Sequence, residues 1–293
     1  KPQGVSPPWA LPSFRFRPGE MTIWHGYNGH GKTVNLSYCA VWWAVNHGEK
    51  TTIASLEMPA AKTFKNMVRQ YLADSRPPRE DIQAAVDWMD EYFWLYDHIG
   101  DINHEILIEV FTYCVRKYGT QHFIIDSLTL LDGWSSEDYA GQKNIVKKLR
   151  NWALEMGVHV HLVAHSKKPD SRHPEEKFWP RKFDVSGSGD VPNLADNVVA
   201  VWRHLDKENT IGTLEADLTA IKRKYSGDDL LKEEAEIRQS IDYWDAQYDA
   251  MWLVQKNRQG GELSMKRLWF DSGPTGSWQY TDEDQAKYWT PMA

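Results

Sequence analysis

The chain has 293 residues, a length that suits one large α/β domain or two small ones. Its hydrophobic content of 41% allows a sizeable core, and the absence of any apolar run of about eighteen residues argues against a membrane-spanning segment. A net charge of −7 argues against a simple nucleic-acid-binding protein, but the stretch 206–249 holds twelve acidic and six basic residues, so a basic surface elsewhere remains compatible with the sequence.

The N-terminal part is predicted to be a linker or an arm. Residues 1–17 contain four prolines and few periodic apolar positions. Residues 18–293 are predicted to form one domain, with 206–249 as an acidic, partly helical insertion. The chain begins at Lys1 rather than methionine, which suggests a fragment of something longer. Cys39 and Cys114 lie in apolar helical patterns and are expected to be buried thiols in a reducing compartment.

A phosphate-binding loop is predicted at 26–33, where the sequence reads Gly-Tyr-Asn-Gly-His-Gly-Lys-Thr. It follows an apolar run and precedes a helical pattern, which is the strand–loop–helix setting of such loops. The backbone N–H groups and the helix N-terminus would hold the anion, Lys32 would reach the β- and γ-phosphates, and the Thr33 hydroxyl would ligate magnesium. A glycine turn that happens to precede Lys-Thr is the alternative. The residues expected to bind nucleotide are Gly26, Asn28, Gly29, His30, Gly31, Lys32, Thr33 and Val34.

Strands and helices are predicted to alternate along the chain. Apolar runs predict strands at 21–25, 51–56, 94–96, 122–126, 158–164, 197–202, 251–254 and 266–270. Helical periodicity predicts helices at about 34–46, 59–72, 81–92, 105–118, 138–156 and 230–248. Because most strands are apolar throughout, we expect an α/β fold whose mostly parallel central sheet carries helices on both faces.

Three polar side chains each end a separate apolar strand. Asp126 ends Phe-Ile-Ile-Asp and fits a magnesium-linked carboxylate, although it could instead cap the following turn. Glu57 could polarise the water that attacks the γ-phosphate, or it could complement the dipole of the helix that follows. His165 could report the state of the γ-phosphate, although a lone histidine is more often structural. Together the three residues predict a catalytic edge of the sheet.

The loop that follows His165 is predicted to bind single-stranded DNA. Between 166 and 182 it has six basic and three acidic residues, with Phe178 and Trp179 among them. Basic and aromatic side chains on a loop suit the backbone and bases of a single strand, although a solvated surface loop would look similar. Backbone N–H groups of the Ser-Gly-Ser-Gly stretch could also grip phosphates. The candidate DNA-binding residues are Lys167, Lys168, Arg181, Lys182, Ser186, Gly187, Ser188 and Gly189.

Lys256 and Arg258 follow a predicted strand near the C-terminus. They could be ordinary solvated charges. Alternatively, they could reach the γ-phosphate bound by a neighbouring subunit, the role of an arginine finger.

The ordered motifs resemble those of replicative ring helicases. Gly-x-x-x-x-Gly-Lys-Thr is followed by Ser-Leu-Glu-Met, Ile-Ile-Asp, a strand ending in His165, Ser-Gly-Ser-Gly with Ala-Asp, and Lys-Asn-Arg. Between about 18 and 270 the chain resembles the motor domain of the DnaB and Twinkle family and of phage primase-helicases, within the RecA-like ATPases.

The resemblance implies a homo-hexamer or other ring that hydrolyses ATP or another nucleotide triphosphate with Mg²⁺ at subunit interfaces and moves along single-stranded DNA. It implies that Glu57 is the catalytic base, that Lys32 and His165 contact phosphates, that Thr33 and Asp126 hold the metal ion, and that Lys256 and Arg258 act on a neighbour's site. A bacterial or phage-infected cytosol, rather than an organelle, is the implied compartment, and any primase or N-terminal domain would lie upstream of Lys1.

Two departures from the family pattern bear on the DNA contact and the insertion. Asp184 and Val185 stand where some members carry a basic residue before the Gly-Ser element, so Arg181 or Lys182 would have to take over that contact. The acidic insertion is longer than the family's link between these strands. It is read first as a solvated surface helix and second as a partner-docking element. A RecA-like ATPase that uses ATP only to gate assembly on DNA is the main alternative to a motor.

Overall fold

The computed structural model describes residues 4–9, 11–74, 76–135, 137–169, 172–271 and 278–281. Residues 1–3 and 10 of the predicted arm lie outside these ranges. So do Ser75, Asp170 of the basic loop, and parts of the predicted domain at 136, 171, 272–277 and 282–293.

The described strands form one sheet with the order β3-β2-β4-β5-β1-β6-β7-β8-β9. The strands are β1 (Met21–Gly26), β2 (Thr51–Ser55), β3 (Phe93–Tyr96), β4 (His122–Asp126), β5 (His159–His165), β6 (Asn197–Arg203), β7 (Ala250–Asn257), β8 (Ser264–Asp271) and β9 (Trp278–Thr281). Strands β1 to β6 pair in parallel, and β7, β8 and β9 add an antiparallel extension beside β6. The predicted mostly parallel α/β sheet is therefore confirmed, and β9 is a strand that the sequence did not predict.

The helices largely follow the predicted order. They are α1 (Lys32–His47), α2 (Ala60–Leu72), α3 (Arg79–Met89), α4 (His104–Tyr118), α5 (Tyr139–Met156), α6 (Val191–Leu194), α7 (Leu205–Lys224) and α8 (Gly227–Asp245). Gly48, Gly119 and Gly157 end α1, α4 and α5 in the left-handed conformation, which glycine adopts without steric strain.

Helices cover both faces of the sheet because successive strand residues point to opposite sides. Trp24 and Ile53 belong to a core cluster with residues of α1, α2 and α3. Ile23 and Ala54 belong to the cluster on the other face, with residues of α4 and α5. Strands β1, β2 and β4 are thus buried on both sides, as their continuous apolar sequence indicated, whereas the edge strand β3 is largely half-buried.

The expectation of an N-terminal linker is corrected for its described residues. Val5, Trp9, Leu11, Phe14 and Phe16 are buried in the core cluster that includes α1 and β7. Val5 and Phe16 also exchange two backbone hydrogen bonds of 3.0 and 2.8 Å. The prolines and the lack of apolar periodicity predicted a linker. The segment instead packs its aromatic side chains into the core.

The acidic insertion forms a helical hairpin of α7 and α8, joined at Tyr225 and Ser226. Only α8 was predicted. Both helices are described throughout, and Lys207 is their one buried residue. Its Nζ donates to the carbonyl oxygens of Asp245 and Gln247 and to Oδ1 of Asp249, at 2.9, 2.7 and 2.6 Å. A buried cation thus binds the C-terminal end of α8, where the helix dipole is negative.

The two cysteines and the hydrophobicity of the helices agree with the sequence analysis. Cys39 and Cys114 are buried free thiols, as predicted. Among the described residues, no helix combines the length and apolar character needed to cross a membrane.

Three buried histidines lie under α1, on β4 and β5. Trp24 Nε1 donates to His161 Nδ1 at 3.1 Å, so His161 carries its proton on Nε2 and donates to His122 Nδ1 at 3.1 Å. His159 Nδ1 donates to the Arg17 carbonyl at 2.8 Å, which leaves Nε2 to accept from the Thr22 hydroxyl at 2.9 Å. This pattern requires neutral rings. Burial lowers the pKa of His159 to about 4 and the pKa of His122 and His161 well below the ordinary value.

The neutral histidines predict an acid-sensitive core. Well above pH 6.5 these rings are neutral in both the folded and the unfolded chain. As the pH falls below 6.5, the unfolded chain binds protons that the folded rings exclude, so the unfolding free energy decreases. Denaturant titrations give the unfolding free energy at each pH. Between pH 7.5 and pH 5, we expect the unfolding free energy of His122→Gln to decrease by about 2 kcal/mol less than that of the wild type.

Titrating groups that do not contact His122 are common to both proteins and cancel in this comparison, while Glu49 and His161 contact His122 directly. The exposed residue Gln239, which does not titrate, supplies the control, because Gln239→Leu should keep the wild-type pH dependence. An identical pH dependence in His122→Gln would contradict the assignment of a neutral buried ring.

Candidate nucleotide-binding site

The predicted phosphate-binding loop connects β1 to α1, as expected. Gly26 ends β1 so close to β6 that an added Cβ would lie 2.3 Å from the Val201 carbonyl oxygen. Gly29 and Gly31 have φ of 77° and 80°, in the left-handed region that favours glycine. Gly31 is the N-cap of α1 and makes no side-chain capping bond. The loop therefore presents the N-terminus of a sixteen-residue helix to the adjoining pocket.

Lys32 and Thr33 begin α1 at the inner wall of this pocket. Lys32 is buried, and its Nζ donates to the carbonyl oxygens of Gly26 and Tyr27 at 3.2 and 2.9 Å. Burial lowers the pKa of Lys32, against the raising effect of the Asp126 and Glu57 carboxylates. The Thr33 hydroxyl donates to Asp126 Oδ2 at 2.5 Å. The sequence motif and the carboxylate 93 residues later are thus in direct contact.

Parallel pairing brings the strand-end residues together. In the register of the sheet Ser55 lies opposite Asp126, Asp126 opposite Val163, and His165 opposite Gly26. The ends of β2, β4, β5 and β1 consequently follow one another along a single edge of the sheet. This edge is where ligands bind in open α/β sheets.

Glu57 and His165 are hydrogen-bonded across this edge, with 2.9 Å between His165 Nε2 and Glu57 Oε1. The bond from His165, helped by Ser127 and by nearby positive charge, lowers the pKa of Glu57 to about 2 although partial burial raises it. Glu57 is therefore an ionised carboxylate already engaged by a donor. Asp126 differs, because burial raises its pKa and the Thr33 hydrogen bond only partly opposes that rise.

A cavity of about 300 Å³ joins these groups. Its walls include Asn28, Gly29, Gly31, Lys32, Thr33 and Val34 of the loop region, together with Glu57, Asp126 and His165. They also include four residues that the sequence did not single out, namely Ser37, Met58, Thr63 and Asn66. Thr63 and Asn66 are three residues apart and therefore lie on one face of α2. This polar pair, shortly after the Ser-Leu-Glu-Met motif, is the sequence feature that could have indicated them.

His30 belongs to the predicted loop, but its ring turns away from the cavity. It is buried, and its Nδ1 accepts from the backbone N–H of Arg203 at 3.0 Å. Burial, with the charges of Lys32 and Arg203, lowers the pKa of His30 to about 4. The ring therefore connects the loop to the end of β6, and only the backbone of His30 remains to face a phosphate.

The residues present suit a magnesium ion held together with a nucleotide. Within the described part of the chain, no group of three or more His, Cys, Asp or Glu side chains could hold a metal by itself. The Thr33 hydroxyl and the Asp126 carboxylate instead offer two hard oxygen atoms beside the phosphate-binding loop. Mg²⁺ prefers such oxygens and usually completes its shell with phosphates and water.

Lys256 and Arg258 do not join this site. Strand β7 runs antiparallel to β6, so its C-terminal end lies beside Asn197, at the opposite edge of the sheet. Lys256 Nζ donates to the carbonyl oxygens of Pro192, Asn193 and Ala195 at 3.1, 2.8 and 2.6 Å. Burial, with the neighbouring charge of Arg258, lowers its pKa to about 8.

Arg258 pairs with a carboxylate that the sequence analysis did not assign a role. Its Nη1 lies 2.8 Å from Oδ1 of the buried Asp196, which also accepts from Arg150 at 3.1 Å and from the Met21 N–H. The six residues of β1 put about 17 Å between Met21 and Gly26, which rules out a contact of Arg258 with its own phosphate-binding loop.

The candidate DNA-binding residues lie after β5 and differ in exposure. Lys167, Lys168 and Arg181 are exposed, and Lys182 is half-buried with its Nζ 4.4 Å from the centre of the Phe183 ring. Ser188 is buried, and its N–H already donates to Gln142 Oε1 at 2.7 Å. That bond contradicts the expectation that the Ser188 N–H is open to a phosphate, because α5 supplies a competing acceptor.

Comparison with known proteins places this geometry in a family. Residues 5–171, more than half of the chain, match the family model described as AAA domain. The Twinkle homolog protein, chloroplastic/mitochondrial, of Arabidopsis thaliana is 24% identical over 235 residues. This match covers 72% of the chain but 32% of the relative, so the chain spans about a third of that protein's length.

Two solved structures share the fold. One, described as an ATPase domain, superimposes with a TM-score of 0.64 at 16% identity and covers 88% of this chain and 83% of the other. The second is described as a DnaB-like replicative helicase and its interactions with primase. It gives a TM-score of 0.63 at 16% identity and covers 89% of this chain and 57% of the other. The chain therefore belongs to the family described as AAA domain, and its resemblance to the motor domains of replicative ring helicases is confirmed.

Proposed function

We propose that the protein is an ATP-hydrolysing helicase motor that moves along single-stranded DNA as a hexamer or other ring. The observation that carries the proposal is the division of the site between two edges of one sheet. One edge carries the phosphate-binding loop together with Asp126, Glu57 and His165. Arg258 lies at the other edge. A second copy of the chain, placed head to tail, would bring an Arg258 to each loop.

The chemistry of the first edge suits hydrolysis of ATP. Water attacks the γ-phosphorus, its proton passes to Glu57, and the bond to the β-phosphate oxygen breaks so that ADP leaves with the electron pair. Lys32 offsets the charge on the β- and γ-phosphates from its buried position at the start of α1. Thr33 and Asp126 would hold the magnesium ion, which supplies further positive charge to the phosphates when it is bound.

Because of its hydrogen bond with His165, the basicity of Glu57 depends on whether ATP is bound. A carboxylate with a pKa of about 2 is a weak base, and the bond from His165 is the largest cause of that low value. A γ-phosphate beside His165 competes for the same N–H donor. Once His165 donates to phosphate, Glu57 loses this donor and its pKa rises, so the site gains basicity when ATP is present.

The loop after β5 supplies a surface for a single strand. Phe178, Trp179 and Phe183 are exposed apolar side chains, and exposed basic side chains accompany them. Aromatic faces stack on bases of any sequence, and the cations bind the phosphate backbone. The loop begins at the residue after His165, which supports its assignment as the part that responds to nucleotide. The Twinkle homolog and the replicative helicase among the relatives support DNA as the track. Primase is a proposed partner, because the replicative helicase with a similar fold is described together with primase.

The proposal predicts unwinding that depends on Glu57. Wild-type protein should hydrolyse ATP in the presence of single-stranded DNA and displace a strand from a forked duplex with one 5′ or one 3′ tail. Glu57→Gln should still bind ATP but lose at least about a hundredfold in hydrolysis and all unwinding, because the amide cannot accept the proton of water. Lys32→Ala should lose nucleotide binding as well.

ATP hydrolysis without unwinding of either fork would favour an ATPase that only gates assembly on DNA. Full activity in Glu57→Gln would remove Glu57 from the reaction.

Arg258 should act on the site of a neighbouring subunit. Subunits with Arg258→Ala keep the phosphate-binding loop, and subunits with Lys32→Ala keep Arg258. Each variant alone should be inactive. An equal mixture should recover activity, because about a quarter of the interfaces in a random ring pair an intact loop with an intact arginine.

The mixture should be checked for mixed rings by native mass measurement, and each variant for its melting temperature, since Arg258 also pairs with Asp196. Mixed rings without recovered hydrolysis would refute action between subunits.

Arg181 and Lys182 should contribute to strand binding. Arg181→Glu with Lys182→Glu should weaken single-strand affinity by at least about tenfold and reduce the slope of log affinity against log salt by about 1.4, the value for two lost phosphate contacts. Lys222→Glu with Arg223→Glu, at the end of α7, makes the same charge change on exposed residues outside the loop and should leave both quantities unchanged. Equal effects of the two double variants would place the strand elsewhere.

A further inference from the structure

A partly buried chain of hydrogen bonds runs beside the nucleotide site without being part of it. It starts at Ser166, the residue after His165, whose Oγ lies 3.0 Å from His25 Nδ1. His25 Nε2 lies 2.9 Å from Gln255 Oε1, and Gln255 Nε2 donates to the Pro180 carbonyl oxygen at 2.6 Å. We call this chain the relay; it consists of Ser166, His25, Gln255 and Pro180.

The direction of each bond follows from the chemistry of its ends. A carbonyl oxygen only accepts, so the NH₂ group of Gln255 points to Pro180 and its oxygen faces His25. His25 must therefore carry its proton on Nε2 and accept the Ser166 hydroxyl proton at Nδ1. His25 is fully buried on β1, and burial lowers its pKa to about 4, so the ring keeps this neutral form at neutral pH.

The ends of the relay are two parts of the proposed motor. Ser166 is covalently next to His165, and its backbone N–H also donates to the Gly26 carbonyl at 3.0 Å. Pro180 immediately precedes Arg181 and Lys182. Between these ends stand one side chain of β1 and one of β7, which belong to the rigid sheet. Backbone hydrogen bonds already join His165 and Lys167 to Ser186 and Asp184. The relay adds a side-chain link from the phosphate-sensing strand end to Pro180, at the start of the basic segment.

We propose that His25 and Gln255 are positioning residues that couple the nucleotide state at His165 to the placement of Pro180, Arg181 and Lys182, an inference that rests on the proposed motor function. A shift of His165 toward phosphate carries Ser166 with it. If Ser166 alone moved, a buried ring nitrogen of His25 would lose its partner, which is unfavourable. His25, Gln255 and the Pro180 carbonyl therefore follow, and the basic segment takes a different position in the two nucleotide states.

Coupling of this kind is a ratio of affinities and is reciprocal. The factor by which nucleotide changes single-strand affinity equals the factor by which the strand changes nucleotide affinity, and such factors usually lie between about 5 and 150. The probes are a single-stranded oligonucleotide and a non-hydrolysable ATP analogue, each titrated with and without the other. The factor should lie in this range for the wild type.

Two variants interrupt different links. Gln255→Leu removes both bonds of Gln255, and Ser166→Ala removes the bond to His25. In both variants the coupling factor should fall toward 1, by at least about threefold, because the backbone bonds between 165–167 and 184–186 remain but the side-chain link is lost. Hydrolysis without DNA should stay within about twofold of wild type, because neither side chain is part of the hydrolytic site. Gln239→Leu, the same substitution at an exposed residue of α8, should keep the wild-type factor.

The outcomes separate this inference from the proposed function. A wild-type coupling factor retained in Gln255→Leu, with an unchanged melting temperature, would overturn the relay and leave the motor intact. A wild-type factor of 1 in a protein that unwinds forked DNA would do the same. Wild-type protein that neither binds the oligonucleotide nor hydrolyses ATP would overturn the proposed function and the relay together. Loss of coupling in both variants, with Gln239→Leu unaffected, supports the relay.

Discussion

The nucleotide site depends on the position of β1 between β5 and β6. Parallel pairing on one side sets Gly26 opposite His165, and on the other side the Val201 carbonyl approaches Gly26 so closely that only hydrogen fits in place of a side chain. This arrangement fixes where the phosphate-binding loop begins. It also explains why His165 lies at the loop and why His30 can accept the N–H of Arg203 at the end of β6. A residue larger than glycine at this position would separate β1 from β6 and displace all of these contacts at once.

The parts of the site that could be predicted from the sequence are those determined by short-range rules. Glycine spacing before Lys32 and Thr33 identified the loop, and the carboxyl ends of parallel strands share an edge, which placed Asp126, Glu57 and His165 together. Contacts between distant segments carry no such local signal. Strand β7 runs antiparallel beside β6. Because of this arrangement, Lys256 donates to three carbonyl oxygens around α6, and Arg258 pairs with Asp196.

The errors in the fold have similar causes. The N-terminal aromatic residues showed no period because the segment crosses the core rather than following one face of an element. Helix α7 was missed because only a narrow, half-buried row of apolar side chains distinguishes it from a solvated loop, and Gly212 interrupts its pattern. Ser188 looked like part of an open glycine-rich stretch, since nothing local indicated that Gln142 of α5 would accept its N–H.

The acidic hairpin has a mechanical consequence that follows from its attachment. Arg203, whose N–H is bound by His30 of the phosphate-binding loop, lies two residues before α7, and Lys207 fixes the root of the hairpin in the fold. Twenty residues of helix extend about 30 Å from that root. A rotation of about ten degrees there would move the tip by about 5 Å. Any rotation of the root is therefore amplified along the length of the hairpin.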